Sequence, residues 1–346
     1  MSARQPVRWG ILGTANIARA QLLPALAESG DVAVVVGGRD RDRTEAFARE
    51  HGVQRAADGY QAVLEDPEVD AVYVPLPNPL HAEWAAAALE AGKVVLCEKP
   101  LTTNPTATRA LLDVARSTGG LLWESFVFPF QAQHHRIVEI IASGAIGELR
   151  EIVASFHFPV TRPENIRLSG PMFGGALADV GCYPMRLAHE LFDQPVAEAQ
   201  VAAELGAEVE VEAAGVLTYA DGRRLMLTCG FRRQPETTAL LLGTEGLIRV
   251  DNPWHPQPGA QIEVRGSGAE PVVESPTVDA HSFTAALRHI GAVLREEAEP
   301  VHLASSSALP VASALGLARE AAGLPLDSSS GSASASSSAT GVGGVR

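Results

Sequence analysis

The sequence predicts an α/β protein in two parts: a doubly wound parallel sheet at the N-terminus, then an α/β domain with an open, mostly antiparallel sheet. From Val7 to about Phe126, short apolar runs (VRWGIL, VAVVVGG, AVYVPL, VVLCE, LLWESF) alternate with longer helical stretches. Strands that are apolar along their whole length are buried on both faces, as in a parallel sheet covered by helices. Beyond the segment QAQHHRIVEIIASGAIGELR the texture changes to strand-like runs joined by turns. Asp221-Gly222 between two of those runs marks a hairpin, because its turn needs positive φ.

Taken in order, VRWGIL is the first strand, and a helix follows from about Asn16 to Ser29. VAVVVGG is the next strand, leading into the charged helix start RDRDR. AVYVPL, VVLCE and LLWESF complete the parallel set, with a helix over Pro79 to Ala91. QAQHHRIVEIIASGAIGELR is a helix and turn. EIVASFHF, AEAQVAAEL, VEVEAAGVLTYADGRRLMLTCGF, TTALLLGTEGLIRVDN and AQIEVRG supply the second sheet. Between the first two lies FGGALADVGCYPMRLAHELF, helical but interrupted by Pro184, whose ring cannot continue the hydrogen-bond ladder. Two apolar helices, around Ser282 to Glu297 and Ser305 to Ala322, close the folded chain. The expected limits are 1–125 for the first domain and 126–327 for the second, with a C-terminal helix packing back on the first. Residues 328–346, SSSGSASASSSATGVGGVR, have little to bury and are expected to be a disordered tail.

Bulk properties narrow the function. At 346 residues the chain exceeds one ordinary core. A net charge of -14 repels phosphate at long range and disfavours nonspecific binding to nucleic acid or anionic membrane. Three cysteines, Cys97, Cys182 and Cys229, have no C-x-x-C spacing, which argues against a disulfide framework and a zinc ribbon; no metal site is expected. No run approaches the roughly 20 apolar residues of a membrane span. A cytoplasmic protein is expected.

The first turn carries a dinucleotide signal. In VRWGILGTANIARA, Gly13-x-Ala15-x-x-Ala18 stands between strand and helix, where a Rossmann fold needs small residues so that a pyrophosphate can approach backbone N–H groups at a helix N-terminus. The middle glycine of the usual fingerprint is an alanine, so the motif taken alone also fits a tight turn without a nucleotide. Gly13, Thr14, Ala15, Asn16 and Ile17 are the candidate cofactor loop. The second strand ends in Gly37, Gly38 and Arg39 with no acid before the arginine. An arginine there can pair with a 2′-phosphate, which favours NADP(H) over NAD(H), with Gly38, Arg39 and Arg43 at that end.

Two further strand ends are unusual. VPLPNPLHAEW makes a stiff proline loop that offers Leu76, Pro77 and Asn78 to the cofactor. His81 either contacts nicotinamide or pyrophosphate or is an ordinary helix-start residue. VVLCEKPLTT ends a buried strand on Glu98-Lys99-Pro100, at the carboxyl edge where doubly wound sheets bind ligands. Pro100 holds Lys99 extended and aims its ammonium. Glu98 either contacts the nicotinamide ribose or restrains Lys99.

In GGALADVGCYP, a helix would set Asp179 and Tyr183 on one face, four residues apart. Because of Pro184, Tyr183 also fits the junction of two short helices. Reduction of a carbonyl by hydride leaves an alkoxide that needs a proton. A phenol can give it if a nearby ammonium stabilises the phenolate, and Lys99 would also polarise the carbonyl. Lys99, Tyr183 and Asp179 are therefore the candidate catalytic set. Phe126, Asn165 and Arg167, with Asp179 and Tyr183, are the candidate substrate contacts.

The segments GILGTANIA, VPLPNPLHAEW, VVLCEKPLTT, GAIGELREI and GGALADVGCYPMR together resemble the glucose-fructose oxidoreductase / inositol dehydrogenase / rhizopine catabolism family, Gfo/Idh/MocA, over about Val7 to Ala322. The resemblance implies an N-terminal Rossmann domain, a C-terminal domain with an open sheet, and a nicotinamide cofactor between them. It implies that Lys99, Asp179 and Tyr183 lie at the active site, and that the second sheet pairs subunits in a homo-oligomer. Tyrosine at position 183 is similar to the branch holding nucleotide-sugar 3-ketoreductases, which use NADPH, and dihydrodiol and xylose dehydrogenases. Ala15 departs from the family fingerprint. The expectation is an NADP-dependent oxidoreductase on a sugar-like or cyclic alcohol or ketone, an NDP-hexose 3-ketoreductase being the leading case. A sugar or trans-dihydrodiol dehydrogenase is the alternative, and a nonenzymatic NADP sensor is the rival of another class.

Overall fold

The structure, a computed structural model, describes residues 5–268 and 270–325; the tail expected at 328–346 lies outside them. Strands β1 (Arg8–Leu12), β2 (Val32–Gly38), β3 (Arg55–Asp58), β4 (Ala71–Val74), β5 (Val94–Cys97) and β6 (Leu122–Glu124) form one parallel sheet in the order β3-β2-β1-β4-β5-β6. The order reverses between β1 and β4, and a crevice opens there beyond the carboxyl ends of the strands.

Strand alternation feeds two apolar layers. Trp9, Ile11, Tyr73 and Leu96 pack on one face with α1 (Leu23–Ser29) and α2 (Arg41–His51). Leu12, Val72, Val74 and Val95 pack on the other with α3 (Gln61–Leu64), α4 (His81–Glu90) and α5 (Pro105–Thr118). β3 escapes a sequence reading because it is a mostly exposed edge strand, Arg-Ala-Ala-Asp, with no apolar pattern.

The second sheet lays β7 (Leu149–His157), β8 (Val196–Leu205), β9 (Glu210–Tyr219), β10 (Arg224–Gly230), β11 (Glu236–Gly243), β12 (Gly246–Asp251), β13 (Ile262–Gly266) and β14 (Val272–Glu274) in the order β14-β13-β12-β11-β7-β10-β9-β8. Its neighbours are antiparallel except β7 and β10, which run parallel. The hairpin at Asp221-Gly222 joins β9 to β10, with Gly222 at φ 84. Ile152, Leu225, Leu227, Leu241 and Ile248 face α6 (Ala132–Ala142) and α7 (Cys182–Phe192) in a single core.

The last two helices tie the halves together. α8 (Thr284–Leu294) buries Leu287 and Ile290 in the same layer as Trp9. α9 (Ala304–Ala321) places Ala304 and Ala308 against the first sheet's other layer, and Val311, Leu315 and Ala318 in the core of the second. α9 therefore shares cores with both sheets.

Candidate active site

β1 ends at Leu12, and Gly13 turns the chain at φ 95, its N–H donating to Gly37 O at 2.6 Å. A side chain here would be strained by that φ, and its Cβ would sit 3.2 Å from Leu76. The helix begins at Asn16 and passes through a π turn over Ala18–Leu22 before α1. Its first turn leaves backbone N–H groups without intrahelical acceptors, facing the crevice mouth. Ala18 is fully buried and Ala15 is half-buried on the cleft wall. The small side chains of the altered fingerprint thus leave a cradle that fits a dinucleotide pyrophosphate.

At the end of β2, a Cβ on Gly38 would lie 2.2 Å from Thr44 Oγ1, so glycine lets α2 start close to the strand. Asp40 caps α2 by accepting the Arg43 backbone N–H at 2.9 Å. Arg39 and Arg43 are exposed on the cleft wall, and neither guanidinium pairs with a carboxylate among the described residues. Two unpaired guanidinium groups suit a phosphate better than a ribose diol.

β4 runs into Pro75-Leu76-Pro77-Asn78, and Asn78 Nδ2 donates to Phe173 O at 2.8 Å, joining this loop to the second half of the chain. His81 borders the cleft, and its buried imidazole stands between two strand-end loops. Its Nδ1 lies 2.9 Å from Pro100 O and its Nε2 2.7 Å from Leu76 O; burial keeps the ring neutral, so its single N–H donates to one of these two carbonyls.

β5 ends at Cys97, followed by Glu98 and a cis Lys99-Pro100 peptide bond. Glu98 accepts the Tyr73 hydroxyl at 2.6 Å and the Lys99 backbone N–H at 3.3 Å, which fixes its carboxylate at the cleft wall. Lys99 Nζ donates to Asp179 O at 2.7 Å and Asp179 Oδ1 at 3.0 Å; an ammonium carries three donors, so one remains for the cleft. Arg167 Nε holds the other carboxylate oxygen at 2.7 Å, and its guanidinium lies over the Phe158 ring. Burial disfavours charge on both Lys99 and Asp179, yet each offsets this for the other. The lysine is held above its ordinary pKa, while Lys99 and Arg167 keep the Asp179 carboxyl down at about 2.

The helix bearing Asp179 and Tyr183 is not interrupted at Pro184; Tyr183 stands at the junction of two helical segments, the other arrangement expected. The helix widens into a π turn over Leu177–Gly181 and continues as α7, with the proline in the first α turn. The wider turn accommodates a residue that has no N–H and whose ring would otherwise press on the preceding turn. Tyr183 is buried, its ring in edge contact with Phe126 and Phe156, and Lys99 Nζ lies 5.1 Å from its centroid. Burial pushes the phenol up, and Lys99 opposes it.

These groups line one cleft of about 1000 Å³. Gly13 to Ile17, Gly38, Arg39, Arg43, Leu76, Pro77, Asn78, Glu98, Lys99, Asn165, Arg167, Asp179 and Tyr183 all border it. Asn165 spends its side-chain oxygen on the Arg167 backbone N–H at 3.1 Å. Phe126, expected against substrate, is buried behind Tyr183 and does not border the cleft. Sequence reading missed Phe156, Phe158, Arg162 and His255, which do. They come from β7, the loop after it and the turn after β12, where a strand aromatic or a turn histidine carries no local mark of the cleft.

Residues 7–126 match the Gfo/Idh/MocA oxidoreductase family with an NAD-binding Rossmann fold, and residues 134–249 match the Gfo/Idh/MocA C-terminal domain. The dTDP-3,4-didehydro-2,6-dideoxy-alpha-D-glucose 3-reductase of Saccharopolyspora spinosa is 39% identical over 265 residues, 76% of this chain and 80% of that protein. The D-xylose 1-dehydrogenase (NADP(+)) 2 of Haloferax volcanii is 33% identical over 260 residues, 74% of this chain and 79% of that one. A 3-ketoreductase from Actinomadura kijaniata, solved in complex with NADP and TDP-benzene, superposes with a TM-score of 0.82 at 33% identity, covering 92% of this chain and 98% of its own. With both halves matched in order, this chain belongs to the Gfo/Idh/MocA oxidoreductase family.

Proposed function

We propose that this protein is an NADPH-dependent ketoreductase acting on a keto-sugar carried by a nucleoside diphosphate. The observation that carries the reading is a single cleft with unpaired Arg39 and Arg43 beside the glycine loop at one end and Lys99, Asp179 and Tyr183 at the other. Relatives named as dTDP-sugar 3-reductases and an NADP-dependent xylose dehydrogenase support it. When bound, the nicotinamide supplies the hydride. Arg39 and Arg43 take the 2′-phosphate, and the turn from Gly13 to Ile17 takes the pyrophosphate. Lys99 turns its remaining N–H on the carbonyl oxygen, Asp179 and Arg167 hold Lys99 in place, and Tyr183 gives the proton.

The same proposal keeps the two-domain division at about residue 125. It includes a cytoplasmic homo-oligomer built on the second sheet, where Leu205, Val272 and Val273 are exposed; sedimentation as a monomer overturns that part. No helix among the described residues is long and apolar enough to cross a membrane. Purified protein should oxidise NADPH faster than NADH with a dTDP-3-keto-sugar, and faster than it turns over xylose or a trans-dihydrodiol with NADP. Preference for either alcohol moves the assignment to a dehydrogenase, and no turnover of any of them overturns the substrate class.

A further inference from the structure

The Tyr183 hydroxyl has a partner that the Lys99, Asp179 and Tyr183 set does not supply. Lys99 stands over the ring and gives the phenol oxygen no hydrogen bond. Oη instead lies 3.2 Å from Nε2 of His255, in the turn between β12 and β13. The imidazole is held from several sides: Asn252, at φ 48, donates its side-chain N–H to His255 O, Nδ1 stands 3.4 Å from Ser282 Oγ, and Phe156 packs edge-on to the ring. Ser282 is itself buried, and its carbonyl accepts Gln131 Nε2. Burial and the nearby Lys99 push the imidazole down to about 4, so it is neutral at neutral pH and carries one N–H.

We propose that His255 is a positioning residue for the proton transfer: with its hydrogen on Nε2, it donates to the Tyr183 oxygen and leaves the phenol's own hydrogen directed at the substrate. Ser282 Oγ–H then donates to Nδ1. Resting on the ketoreductase reading, the step balances as follows. The carbonyl carbon takes the hydride and the C=O π pair moves onto oxygen. The phenol O–H bond breaks, an O–H bond forms on the substrate, and one negative charge is left on Tyr183. Nε2–H holds that phenolate until water in the cleft returns a proton. In the oxidative direction the same N–H stabilises the phenolate that accepts the alcohol proton. The other charged or titratable groups around the phenol are Lys99, Glu98, Cys182, Asp179, Arg167 and Tyr73.

The test compares the parent with H255L and H255Q, the latter placing an amide donor near Nε2. A fluorinated tyrosine at position 183, whose more acidic phenol titrates where the fold survives, reports phenol ionisation by fluorine NMR without any substrate. H255L should raise that pKa by about one pH unit or more and lower kcat about 10- to 100-fold, with KM for NADPH unchanged. H255Q should recover most of both. An unmoved phenol titration in H255L, or an H255Q that does no better than H255L, overturns the proposal. Failure of the parent to reduce any keto-sugar counts against the proposed function and leaves the phenol titration to decide the role of His255.

Discussion

Asp179→Asn removes the carboxylate that pairs with both Lys99 and Arg167. The side chains of Lys99 and Asp179 are 11% and 15% exposed and their atoms 3.0 Å apart, so the substitution strands a buried ammonium, a change that costs about 3–5 kcal/mol. Arg167, 38% exposed, is screened by water and adds at most about 1 kcal/mol. The depressed carboxyl gives a second measure: about 2 in the folded chain against 3.8 is about 2–3 kcal/mol. The second figure is smaller because it counts the carboxylate's preference for its charge and omits the cost of an ammonium left alone. A loss of about 3 kcal/mol at neutral pH is expected. A carboxyl with a lowered folded pKa stabilises fully above 3.8 and ceases to do so as pH falls through 2, so the parent's advantage should shrink over that window. Urea unfolding of both proteins across that range measures it, and keto-sugar reduction should fall about 100-fold in kcat as Lys99 loses its orientation. A difference below about 0.5 kcal/mol at neutral pH, or one indifferent to acid, would refute the assignment of Asp179 as the anchor of Lys99.

Tyr183→Phe should lower kcat about 100- to 10,000-fold while NADPH affinity, read by nucleotide fluorescence titration, stays at the parent's value. Arg39→Ala should weaken NADPH binding about 10-fold or more and leave NADH unchanged; equal losses for both nucleotides would remove the 2′-phosphate role. Glu124 is buried, accepts the Leu101 N–H at 2.7 Å through one oxygen, and is raised to about 7 by burial. Its folded state favours the protonated acid, so its stabilising contribution is full below 4.5 and lost as pH rises through 7. The stability of E124Q relative to the parent, from denaturant unfolding, should accordingly rise by about 3 kcal/mol between 4.5 and the range above 7.

The parts that were legible in the sequence are those with a local physical cause. Apolar runs buried on both faces announced the parallel sheet, Gly13 announced close backbone approach, and Pro100 announced the strand end that carries Lys99. Each depends on neighbours within a few residues. β3 was hidden because an exposed edge strand needs no apolar pattern. The π turn that precedes Pro184 was hidden because it has no residue signature of its own.

His81 and His255 mark the limit more sharply. Nothing in HAEW or in NPWHP says that the first histidine stands between the carbonyls of Leu76 and Pro100, 5 and 19 residues away, or that the second stands beside a tyrosine 72 residues earlier. The sequence alone determined the fold class, the carboxyl edge where a ligand binds, and a lysine, acid and tyrosine suited to carbonyl chemistry. Tertiary structure alone decided that Lys99 addresses the ring of Tyr183 and His255 its oxygen. Hydrogen-bond partnership is set by separations of about 3 Å, and only packing of two sheets into one crevice brings distant segments that close.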